Sequence, residues 1–77
     1  MKDSPLPLNE LKFNKEGKII DITLPNPALF ERLISMGIVP GERIKITNRI
    51  GHNIIISVNK TFALGEDIAR EIKVLEE

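Results

Sequence analysis

Cysteine, tryptophan and tyrosine are absent from this 77-residue sequence, and its eleven basic residues are balanced by eleven acidic ones. Without cysteine there can be no disulfide, no thiolate metal site and no thiol nucleophile. The same absence suits a reducing compartment, so a cytoplasmic location is the expectation. A formal net charge of zero lacks the basic excess that phosphate contacts require, and there is no Tyr or Trp to stack bases; nucleic acid is not an expected partner. No apolar run approaches the ~18 residues of a membrane span, so direct membrane insertion is not expected either.

What is present points to a small β-rich domain. A chain of this length makes one domain at most. Isoleucine is plentiful, the only aromatics are Phe13, Phe30 and Phe62, and β-branched side chains favour pleated, half-buried surfaces. The charged, proline-punctuated start reads as a flexible arm over residues 1–7, with the folded domain over 8–77. Leu8 and Leu11 are three apart, enough for one short turn on a core. After a turn signal at 14–17, Lys18 to Leu24 reads as a strand, with Ile20, Ile22 and Leu24 on one face.

Asn26-Pro27 then opens a helix, with Asn26 placed to cap it and Pro27 at its first position. Leu29, Phe30, Leu33, Ile34 and Met36 form its apolar stripe, and Gly37 stands where a left-handed C-cap is wanted. Pro40-Gly41 fits the two central positions of a type II turn. Ile44 and Ile46 alternate with Arg43, Lys45 and Thr47; Ile54, Ile56 and Val58 answer them across Ile50-Gly51. Because a β-branched Ile50 resists positive φ, the spacing predicts a type I turn with Gly51 as bulge residue. Thr61 to Leu64 is a further strand, broken at Gly65, and a short helical turn leads to a last strand over 71–75. Five short strands and one helix after the first imply a small closed barrel.

Chemistry is hard to find. His52 is the only histidine, and a metal or acid–base site needs several converging groups. No phosphate-cradling glycine spacing occurs. The glycines fall where turns are wanted. Arg43, Lys45 and Arg49 form an outward basic row of the kind small barrels sometimes turn to single strands; a solvated strand face is the plainer reading. The sequence does not read as an enzyme.

The ordered run Leu33-Ile34-Ser35-Met36-Gly37-Ile38-Val39-Pro40-Gly41-Glu42-Arg43-Ile44 resembles the pattern of the FeoA family. Leu8 and Leu11, Gly17-Lys18-Ile19, and Phe62-Ala63-Leu64-Gly65 through Val74 extend the resemblance over about residues 8–75. It implies a mainly β, SH3-like barrel of about five short strands with one inserted helix. It further implies a small cytoplasmic accessory of ferrous iron transport that binds and modulates FeoB, the membrane permease with a GTPase domain.

The alternative implied is a stand-alone regulatory module similar to the C-terminal domain of DtxR-type repressors, taking metal or peptide; Arg49-Ile50-Gly51-His52 echoes their hairpin turn. In some of those repressors a Glu and a Gln three apart help bind metal. Glu10 matches the first, but Phe13 stands at the second and cannot ligate a cation. Glu10 is thus the one metal candidate, and no cofactor is expected. Peptide reading of the proline-rich kind is disfavoured by the missing Tyr and Trp. Apolar residues left over from the core, Ile38, Val39 and Ile55, are the expected partner contacts. Spare apolar surface also leaves room for a weak homo-oligomer.

Overall fold

The computed structural model describes residues 4–77. Their strands are β1 (Leu6–Pro7), β2 (Glu16–Ile22), β3 (Arg43–Ile50), β4 (Asn53–Ser57), β5 (Thr61–Gly65) and β6 (Ile72–Glu76). A helix α1 (Pro27–Ser35) follows β2, a single turn α2 (Glu66–Ala69) follows β5, and a 3₁₀ turn spans Leu8–Glu10. One antiparallel sheet runs in the order β1-β6-β2-β3-β4-β5. The fold is the expected mainly β, SH3-like one. The ladder is open, however: among the described residues β5 pairs with β4 alone and its other edge joins no strand. The arm expected over 1–7 also begins too late a domain, because Leu6 and Pro7 pair with Val74 and Lys73; residues 1–3 of that arm lie outside the described residues.

The core is aliphatic. Ile44, Ile46, Ile54, Ile56, Ile72 and Val74 are buried as the alternation predicts. In β2 the expected face holds at Ile22 but not at Ile20, whose place in the core Ile19 takes. Ile19 pairs with Val74 and Asp21 with Lys73, so Ile20 is an extra residue in a bulge. The bulge turns Ile19 and Ile22 into the core and leaves Ile20 half-buried, because one added residue exchanges the two faces of a strand. A second shift leaves Thr47 unpaired between Ile46 and Asn48.

The turns show how local chemistry bounds the elements. Asn26 Oδ1 accepts from the Ala28 and Leu29 amides at 2.9 and 3.4 Å, and Pro27 is the first helical residue. Replacing Asn26 by alanine is expected to cost about 1 kcal/mol, within a range of roughly 0.5–2, read as a lower melting temperature with unchanged unfolding cooperativity. At the other end Gly37 has φ +89°. Its amide donates to Ile34 O and the Ile38 amide to Leu33 O, each at 2.9 Å, the paired bonds of a Schellman motif. Pro40-Gly41 forms the expected turn: Glu42 N donates to Val39 O at 3.1 Å and Gly41 has φ +98°, as type II requires.

The hairpin turn differs from expectation. Ile50 pairs directly with Asn53, so the loop is the two residues Gly51-His52. Gly51 has φ +61°, while neither Ile50 nor His52 has a positive φ. That pattern is type II′, which needs glycine only at its first central position and matches the strand twist. Ile50 is spared the strain because it lies in the strand, before the turn.

Candidate protein-docking site

The cap and the Schellman motif hold α1 beside the sheet, but only Leu33 of the helix is buried. Leu29, Phe30 and Met36 are half-buried, and Ile34 is 43% exposed. Positions 29, 32, 33 and 36 share one side of a helix. Here Leu29, Arg32, Leu33 and Met36 line one wall of a groove of about 110 Å³, with Ala63, Leu64, Gly65 and Ile68 opposite. Gly37 marks the end of this wall nearest the β4–β5 turn, since a side chain there would meet Asn59 Nδ2 at 3.5 Å. Arg32, at the groove, has no ion-pair partner among the described residues.

Two larger depressions, about 410 and 320 Å³, are open and lined mainly by charged and polar residues, Glu16, Lys18, Glu42 and Arg43 in one and His52, Glu66, Asp67 and Arg70 in the other. Among the described residues no three His, Asp or Glu side chains converge to hold a metal ion. Glu10 is exposed in its 3₁₀ turn, and Phe13, 50% exposed, offers no donor. The residues present do not fit the metal site that the repressor-type module would need.

The basic row is largely spoken for. Arg43 Nε pairs with Glu77 at 2.8 Å, and Arg49 with Glu66 at 3.0 Å. Arg49 also donates to Asn9 O at 3.1 Å. It therefore ties the hairpin to both the N-terminal segment and α2, helped by the Glu66 amide, which donates to His52 O at 2.8 Å. These exposed pairs add little stability individually, but they remove charge from the face a nucleic acid would use.

The expected contact residues do not form a patch. Ile38 is 0% exposed and belongs to the core; as the residue after Gly37 it is drawn inward by the Schellman bond to Leu33. Val39 and Ile55 are half-buried. Val39 belongs to the connector fastened to β2 by Gly41 N to Ile19 O at 2.7 Å, whereas Ile55 lies on β4, and β3 runs between them. Gly65 ends β5 and precedes α2 as expected. The groove was missed because its walls come from residues 29–36 and 63–68, which no local periodicity connects. The available signal was an apolar stripe on α1 wider than one small core could cover, next to a strand without a single charge.

A small mainly β module with a groove between its helix and an edge strand is the class these features define. The FeoA domain profile matches residues 6–76, and the chain belongs to the FeoA family, small proteins associated with ferrous iron transport. It is similar to the crystal structure of an iron uptake regulatory protein (FeoA), at 29% identity and TM-score 0.82, over 96% of this chain and 99% of that one. A FeoA-like protein from Clostridium acetobutylicum is 27% identical with TM-score 0.80, over 94% and 86% of the two chains. A manganese-dependent transcriptional repressor, 20% identical, superposes with TM-score 0.88 over 97% of this chain and 43% of its own; that likeness is one of fold. No curated protein matches.

Proposed function

We propose that this protein is a cytoplasmic accessory of ferrous iron transport that binds the cytoplasmic part of a FeoB-type permease and modulates it through protein–protein contact. The observation that carries the reading is the groove between α1 and β5. It leaves Leu29 and the C-cap residue Met36 partly uncovered beside a helix whose only buried residue is Leu33. We take the partly uncovered aliphatic side chains of this groove as the contact surface, and the FeoA family match is what supports a FeoB-type permease as the partner. Iron is the cargo of the transporter in this reading.

The test is an amide NMR titration of the labelled protein with the cytoplasmic part of the cognate permease. Shifts are expected on Leu29 to Met36 and on Ala63 to Ile68. A silent titration with the partner at near-millimolar concentration would remove the soluble part of the permease as partner. Shifts confined to the Arg43–Glu77 side would move the docking face elsewhere.

A further inference from the structure

β5 is an edge strand without a charge, a proline or a bulge, and α1 stands across a groove from it. Natural edges carry lysine, proline or a bulge that discourages pairing with another chain. Thr61-Phe62-Ala63-Leu64-Gly65 has no charge and no proline, and its register with β4 is unbroken from Thr61 to Gly65. Among the described residues β4 is the one strand that β5 pairs with, and no turn or loop backbone bond engages Thr61 to Leu64; Gly65 is also the N-cap of α2. Successive strand residues face opposite sides. Ala63, Leu64 and Gly65 therefore cannot all line the groove through one face; they present the edge of the strand to it. The groove has the outer edge of β5, which pairs with no further strand among the described residues, on one side and Leu29, Leu33, Met36 and Arg32 on the other.

We propose that this groove takes its partner by strand addition. An extended segment of the partner protein hydrogen-bonds the free edge of β5, sets one aliphatic side chain against Leu29, Leu33 and Met36, and places a carboxylate on Arg32. Each part follows from the site. Only an extended backbone satisfies alternate amides and carbonyls along an edge. The volume of about 110 Å³, against roughly 150 Å³ for a cavity that holds benzene, suits one aliphatic side chain. Arg32 is the one charged residue lining the groove and is unpaired among the described residues, so the complementary neighbour is Asp or Glu. This mode of binding rests on the docking reading above and adds to it the chemistry of the bound segment.

The probe is an acetylated, amidated hexapeptide, Thr-Glu-Leu-Glu-Val-Thr, titrated into the labelled full chain. Expected results are downfield shifts and slowed hydrogen exchange at the outward-facing amides of Thr61–Gly65, with side-chain shifts at Leu29, Leu33 and Met36. Exchanging the two glutamates for lysines should weaken binding about tenfold, and Arg32→Glu, an exposed change, should invert that preference. Methylating alternate peptide amides should also weaken binding about tenfold.

Strand addition is overturned by any of three results. One is no binding at about 1 mM peptide, the weak end of specific recognition. Another is binding that shifts α1 but leaves the β5 amides exchanging freely. The third is concentration-dependent pairing of β5 in the peptide-free protein, which would make a second copy of this chain the occupant. If the permease domain shifts the groove while the hexapeptide fails, strand addition falls and docking stands. If the hexapeptide binds while the permease domain is silent, the reverse holds.

Discussion

Ile38→Ala is expected to lower the unfolding free energy by about 2–5 kcal/mol. A 77-residue chain has about 4–11 kcal/mol to lose by per-residue scaling, so the variant should lie near or past the edge of folding. Ile38 has no exposed surface, and its amide already closes α1 by donating to Leu33 O. Alanine keeps that backbone bond, so the loss is that of a buried aliphatic side chain and the cavity left behind. Denaturant unfolding should show a lower midpoint with an unchanged slope, and Ile38→Val should cost only about 0.5–1.5 kcal/mol. A residue serving as an exposed contact would leave stability within about 0.5 kcal/mol. A stable Ile38→Ala protein would return Ile38 to the surface and break the account of the α1–β3 connector.

That residue also shows what the sequence makes legible. Elements bounded by their own chemistry can be read directly: the Asn26-Pro27 cap, the Gly37 terminus and the Pro40-Gly41 turn depend on neighbours within four residues. The burial of Ile44, Ile46, Ile54, Ile56, Ile72 and Val74 follows from period-two alternation. Ile38 misleads because it belongs to no periodic stretch, and its direction is set by the left-handed turn at Gly37. Bulges mislead for a related reason. One extra residue at Ile20 exchanges faces without changing composition, and only pairing with β6, fifty residues away, reveals it.

The hairpin illustrates the limit of a propensity argument. Ile50 does resist positive φ, but the register with β4 moves the turn one residue on, to Gly51-His52. The pairing of Leu6 and Pro7 with β6 has no local signal either, since a two-residue strand is created by its partner. The groove is the largest omission. Its walls are each legible, an apolar helix stripe and an uncharged strand, but their juxtaposition is tertiary. What could have been inferred is a mismatch: five apolar residues over 29–36 against a core already filled by isoleucines. Surplus apolar surface on a small domain is a statement about partners before it is one about stability.

Gly17→Val should destabilise by about 2–3 kcal/mol, for reasons of space alone. Gly17 is buried in β2 opposite Ile44 and Glu76, and its φ is not positive, so a side chain meets no backbone strain. A Cβ there would lie 3.2 Å from Leu11 Cδ2 and 3.2 Å from Val74 Cβ. Leu11 can swing its side-chain end aside. Val74 cannot, because its Cβ is fixed to β6, which pairs with β2 through Val74 and Ile19.

Valine has the better strand propensity by a fraction of about 1 kcal/mol, and that gain is too small to offset forcing two strands and the N-terminal segment apart. Gly17→Ala, with no further methyls to place, should cost only about 1 kcal/mol. The discriminating measurement is a double-mutant cycle by thermal or denaturant unfolding. Val74→Ala alone removes buried methyls and destabilises, yet in the Gly17→Val background it should restore about 1 kcal/mol or more, because the pair is in contact and non-additive. Strict additivity would mean that the close approach of β2 and β6 at Gly17 is not what requires glycine there.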